Sequence, residues 1–149
     1  MSKFSCFVLC IVAVSLSSVS AKISDEDKAA IHEAIKPIIA ECSTQTGVSE
    51  DELKAAKQAG NADGINPCFM GCFLKKIEVF DAEGKYNVDA GLAKIKKYVK
   101  NDEDLSKFEN IAKQCAAVND QEVSDGTAGC ERAKLLLACA LEHKAEIPI

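Results

Sequence analysis

Apolar residues along this chain recur at three- and four-residue intervals, the period of a helix with one buried stripe. Ile31, Ile35, Ile38 and Cys42 form the first stripe, with His32, Glu33 and Lys36 around the rest of the turn. Ser24 suits its N-cap, and Asp25-Glu26-Asp27 suits the positive end of its dipole. Pro37 should kink or break this run, and Gly47 ends it. Ser49 and Glu52 read as a capping box opening a short helix through Leu53 and Ala56 to Gly60. Asn66-Pro67 reads as N-cap and first helical residue, followed by Phe69, Phe73, Ile77 and Phe80 on one face with Met70 and Leu74 beside them.

A polar turn, Asp81-Ala82-Glu83-Gly84-Lys85, precedes a fourth stripe of Val88, Leu92, Ile95 and Val99. Leu105, Phe108, Ile111, Ala112 and Cys115 make a fifth. A looser segment around Gly126 and Gly129 leads into a sixth helix carrying Leu135 to Leu137. No stretch alternates with period two, so the predicted fold class is all-α.

Residues 1–21 read as a signal peptide: Lys3, an apolar run from Phe4 to Val14, then a Ser-rich exit ending in Val19-Ser20-Ala21. The run is shorter than the ~20 residues needed to span a bilayer. Cleavage leaves residues 22–149 as one domain, secreted and without a membrane anchor. Losing Lys3 leaves 17 basic against 23 acidic side chains, a net charge of −6. That sign disfavours nucleic acid, whose phosphates repel it. No Asn-X-Ser/Thr acceptor for N-glycosylation occurs.

Cys6 and Cys10 leave with the leader, and the six remaining cysteines are Cys42, Cys68, Cys72, Cys115, Cys130 and Cys139. In an oxidising compartment they read as three disulfides. Neither His32 nor His143 sits at zinc-ligand spacing from them, so no metal and no cofactor is expected. Six cysteines allow fifteen pairings. Cys68 and Cys72 do not converge on one helix, and Cys130 and Cys139 lie about 13.5 Å apart along another. Ten pairings remain. The third and the last helix must each be tied to two other segments.

The cysteine spacing, the leader and the helical order resemble the insect odorant-binding proteins, the pheromone-binding and general odorant-binding carriers of sensillum lymph. The most recognisable stretch is Cys68-Phe-Met-Gly-Cys72-Phe-Leu-Lys-Lys, followed by Asp-Ala-Glu-Gly-Lys-Tyr-Asn-Val-Asp-Ala from Asp81. The resemblance covers Ile23 to His143. It implies the pairings Cys42–Cys72, Cys68–Cys130 and Cys115–Cys139, and a compact six-helix bundle around an apolar ligand cavity. It also implies a carrier of odorants, pheromones or related lipids, working as a monomer or weak homodimer, with an odorant-receptor complex as a further partner.

Periodicity alone does not distinguish a hollow bundle from a solid one. Crosslinks make a void tolerable that would otherwise cost ~24 cal/mol per Å³. On that reading Ile35, Met70, Phe73, Leu74, Ile77, Leu92, Ile95, Phe108, Ile111, Ala112 and Leu136 are the candidate wall residues. Tyr86 and Tyr98 can offer a hydroxyl, but Tyr86 falls in a turn and reads as a surface ring. The tail Ala145 to Ile149 is too short for a seventh helix, although Ile147 and Ile149 can cap an opening. Protonating His143 is expected to loosen that tail.

Catalysis is not expected. The chain lacks Gly-x-Ser-x-Gly, His-Glu-x-x-His and a phosphate-cradling loop, and it shows neither the His–Asp pair nor the Gly-rich calcium loop of a secreted phospholipase. Two alternatives to an olfactory carrier stand. One is a lipid carrier in another secretion, and the other is a secreted helical signalling or venom protein acting through its surface.

Overall fold

A computed structural model describes residues 23–59 and 64–146. The expected leader and the tail residues Ile147, Pro148 and Ile149 lie outside the described residues. Among those described, six α-helices follow one another: α1 Asp25–Thr46, α2 Glu50–Ala59, α3 Pro67–Lys76, α4 Val88–Lys96, α5 Asp102–Cys115 and α6 Cys130–Glu142. Short 3-10 turns cover Ala116–Asp120 and Lys144–Glu146. The class is all-α, with one isolated antiparallel bridge between Phe80 and Tyr86.

Local signals set the helix starts. The Ser24 hydroxyl accepts from the Asp27 amide at 3.0 Å. The Ser49 hydroxyl accepts from the Glu52 amide while the Glu52 carboxylate accepts from the Ser49 amide at 2.7 Å, a closed capping box. Asn66 Oδ1 accepts from the amides of Cys68 and Phe69. Gly47 closes α1 in the left-handed region at φ 73°, its amide donating to the Ser43 carbonyl.

Two expectations about helix ends are corrected. Helix α1 continues through Pro37, so of the kink or break expected there the break does not occur. The missing amide of Pro37 frees the Glu33 carbonyl, and both residues lie on the exposed side, where water can take that bond. Helix α3 stops at Lys76, so Ile77 is its C-cap and Phe80 lies beyond it rather than on a shared helical stripe. The end is a Schellman motif: Glu78 N–H donates to the Lys75 carbonyl and Val79 N–H to the Leu74 carbonyl. Glu78 adopts the left-handed φ of 62° that such a motif normally gives to glycine. Replacing Glu78 by glycine relieves that conformation, worth about 1 kcal/mol, at the loss of an exposed Lys94–Glu78 pair worth less than that. We expect a small rise in the thermal midpoint, read by calorimetry.

Three crosslinks staple the helices: Cys42–Cys72 joins α1 to α3, Cys68–Cys130 joins α3 to α6, and Cys115–Cys139 joins α5 to α6. Packing follows the same circuit, with α3 against α1 and α6, α6 against α5, and α5 against α4. The tightest approach is between α3 and the start of α6. A Cβ on Gly71 would lie 2.9 Å from the Gly129 carbonyl oxygen. Beside it, the Lys75 ammonium donates to the Thr127 carbonyl.

The start of α6 is held without a capping side chain at Gly129. Asp125 Oδ2 reaches across the loop and accepts from the amides of Cys130 at 2.7 Å and Glu131 at 3.1 Å. Behind it, buried Arg132 donates to the carbonyls of Val118 and Gln121, closing the end of the 3-10 turn after α5. Helix α6 is therefore fixed by a crosslink at each of two positions and by polar ties at its first turn.

Candidate ligand site

The helices pack as a chain, α1 on α3, α3 on α6, α6 on α5 and α5 on α4. Twelve apolar residues fall in the buried class among those described. One cluster joins Cys42, Val48 and Phe69, with Ile38, Ile39, Leu53, Ile65, Cys72 and Phe73 packed on it. It fills the corner between α1, α2 and α3.

The candidate wall residues divide into two groups. Leu92 of α4 and Ile111 and Ala112 of α5 are buried, each less than a tenth exposed. Ile35 of α1, Met70, Phe73 and Leu74 of α3, Ile77 at its C-cap, Ile95 of α4, Phe108 of α5 and Leu136 of α6 are half-buried. Phe73 also touches the corner cluster, so part of its ring is core. In α6, all seven consecutive residues from Leu135 to Leu141 are half-buried. Seven residues sweep about 700° around a helix, so a helix lying on a solid core would show a closed face somewhere in that stretch. Over that stretch this helix shows partial access all the way round, whereas its first turn buries Arg132 and Ala133.

A separate cleft of about 370 Å³ opens beside α2, lined by Val48, Glu52, Leu53, Ala55, Ala56, Ala59, Gly64 and Asn66. None of the eleven candidate residues lines it. Glu52 at its rim accepts hydrogen bonds from the Ser49 amide and hydroxyl, which hold its carboxyl below its ordinary value. The Glu52 carboxylate is therefore anionic at neutral pH, and Val48 and Leu53 in the lining also belong to the corner cluster.

Sequence reasoning misplaced Tyr86. Its backbone is gripped from both sides by one side chain: Asn119 Oδ1 accepts from the Tyr86 amide and Asn119 Nδ2 donates to the Tyr86 carbonyl, both at 2.8 Å. The ring is half-buried rather than a surface ring, lies against Gly91 of α4, and burial raises its phenol pKa above the ordinary value. Nothing in a Lys-Tyr-Asn turn signals this, because the partner, Asn119, is 33 residues away.

His143 Nδ1 lies 2.8 Å from the Glu146 carboxylate, and the tail residues Ile147 to Ile149 that His143 was expected to loosen lie outside the described residues. Among the described residues, no group of three or more His, Cys, Asp or Glu side chains could hold a metal ion. No helix among them is long and apolar enough to cross a membrane.

The described residues form a small helical domain whose helices α1, α3, α5 and α6 are joined by three crosslinks. Comparison with known proteins narrows the class. The PBP/GOBP family model matches residues 24–143, and the chain belongs to that family of pheromone-binding and general odorant-binding proteins. It is 30% identical over 79 residues to general odorant-binding protein 28a of Drosophila melanogaster, spanning 52% of this chain and 55% of that protein. It is 28% identical over 89 residues to the B1 protein of Tenebrio molitor, spanning 59% of this chain and 66% of that one. The chain thus spans roughly half to two thirds of the length of these relatives. The solved structure of odorant-binding protein dmelOBP28a from Drosophila melanogaster superposes with a TM-score of 0.58 at 26% identity, covering 81% of this chain and 96% of that one.

Proposed function

We propose that this protein is a secreted carrier, without catalytic activity, that holds one small hydrophobic molecule between α1, α3, α4, α5 and α6 and delivers it through an aqueous secretion. The observation that carries the reading is the partial access around Leu135–Leu141, joined by the half-buried state of eight of the eleven candidate wall residues. Apolar side chains on facing helices that stay reachable by water leave surface for a guest to cover, at about 25 cal/mol per Å². Membership in the PBP/GOBP family supports the same reading. Odorants, pheromones and related lipids are the proposed cargo, with a receptor complex as the proposed destination.

Uptake of N-phenyl-1-naphthylamine, followed by its displacement with long-chain alcohols, aldehydes, terpenoids and fatty acids, tests this. The wild type is expected to take up the probe in the micromolar range. Leu136→Trp, which puts a larger ring at a half-buried wall position, is expected to weaken uptake by about tenfold or more, roughly 1.4 kcal/mol. Ala59→Trp, in the α2 cleft, leaves uptake unchanged. No uptake by the oxidised wild type refutes the carrier and favours a protein that acts through its surface.

A further inference from the structure

We propose that the Tyr86 hydroxyl is a polar contact of the ligand site, selecting guests that carry an oxygen over hydrocarbons of the same length. The inference rests on the carrier reading and names the ligand class. Three observations converge on it.

The ring is placed rigidly. Asn119 clamps both backbone polar groups of Tyr86 at 2.8 Å, and the Phe80–Tyr86 bridge fixes the chain direction. Room for the ring is made by a missing side chain on α4: a Cβ on Gly91 would sit 3.4 Å from Tyr86 Cε2 and 3.5 Å from its hydroxyl oxygen. Gly91 stands three residues after Val88 and four before Ile95, beside Leu92, so the ring packs on the face of α4 that carries the candidate wall residues Leu92 and Ile95.

The hydroxyl is also unengaged. Among the described residues, the hydrogen bonds of Tyr86 are made by its backbone, and its side-chain oxygen forms none. Burial disfavours the phenolate and keeps this group a neutral O–H at any physiological pH. A neutral phenol both donates and accepts one hydrogen bond. The hydroxyl stays within reach of water in the empty protein, and a bound oxygen takes the place of that water at a partly desolvated donor. An alcohol, aldehyde or ester provides that atom; an alkane does not.

Tyr86→Phe removes the hydroxyl alone. Because that oxygen makes no protein hydrogen bond, the variant is expected to fold with an unchanged or slightly higher thermal midpoint, whereas a structural hydroxyl would lower it. Decan-1-ol, decanal and undecane are then compared as competitors of N-phenyl-1-naphthylamine on the full disulfide-bonded chain. The expected result is a roughly 3- to 10-fold loss of affinity for the alcohol and the aldehyde with undecane unaffected. Equal effects on all three, or none, overturn the role of Tyr86 while leaving the carrier standing. Failure of the wild type to bind any of the three overturns both.

Discussion

Replacing Cys42 and Cys72 together by alanine is expected to be the most damaging change of a crosslink in this protein. Opening a loop closed over 30 residues returns about 3.7 kcal/mol of chain entropy to the unfolded state. On that basis alone, the 62-residue loop of Cys68–Cys130 matters more, by about 0.6 kcal/mol. Burial reverses the order. Cys42 is fully buried at 0% exposure in the corner cluster, so its removal also leaves a gap against Val48 and Phe69. Such a gap adds about 1 kcal/mol or more. The pair is expected to lose about 4–5 kcal/mol in denaturant unfolding, against about 4 kcal/mol for the Cys68/Cys130 alanine pair. Accessibility also sets the order of chemical reduction. Cys68 is exposed, whereas Cys42 and Cys115 are buried, so limited reduction and alkylation should label Cys68 and Cys130 first. Labelling of Cys42 before Cys68 contradicts this account of the corner cluster.

The second large effect is expected at Gly71. Alanine is the better helix former by about 1 kcal/mol, and at an exposed helical position the change would stabilise. Here the new Cβ meets the Gly129 carbonyl at 2.9 Å, its carbon at 3.0 Å and the Cys130 amide nitrogen at 3.3 Å. All three are backbone atoms, and Cys130 is crosslinked to α3 itself, so neither helix can step aside. Overpacking of this kind costs about 1–3 kcal/mol, occasionally more. A net loss of about 2 kcal/mol is expected for Gly71→Ala, and Gly71→Val should prevent stable folding. Gly47→Ala is the informative comparison. It carries a left-handed φ of 73° with nothing within 4 Å of the added atom, so it reports backbone strain alone, about 1 kcal/mol. A Gly71→Ala protein as stable as the wild type would mean that α3 and α6 are not held this closely.

How much of this was legible beforehand follows from the range of each interaction. The starts at Ser24, Ser49 with Glu52, and Asn66, and the stop at Gly47, are decided within four residues and were readable from sequence. The stop of α3 was not, because a glutamate occupies the left-handed position that glycine usually announces. Of the kink or break expected at Pro37, the break did not occur, since an exposed helix face lets water satisfy the freed carbonyl. The candidate wall was readable only as stripes. A stripe identifies which residues face inward and carries no information on whether another side chain or empty space lies opposite. Tyr86 was missed for a different reason: its position depends on Asn119 and Gly91, and no local pattern links the three.

The pocket geometry sharpens the choice between two places for a guest. The cleft beside α2 is lined by Glu52, whose carboxyl is held below its ordinary value, and shares Val48 and Leu53 with the corner cluster. The proposed guest site takes in Ile95, Ile111 and Leu136 of α4, α5 and α6, where α4 packs on α5 and α5 on α6. Methyl NMR of the oxidised chain, titrated with decan-1-ol, separates them directly. The account predicts saturable shifts at the methyls of Ile35, Leu74, Ile95, Ile111 and Leu136, with Val48 and Leu53 little changed. Shifts confined to Val48 and Leu53, or an interior that does not respond at all, would contradict it.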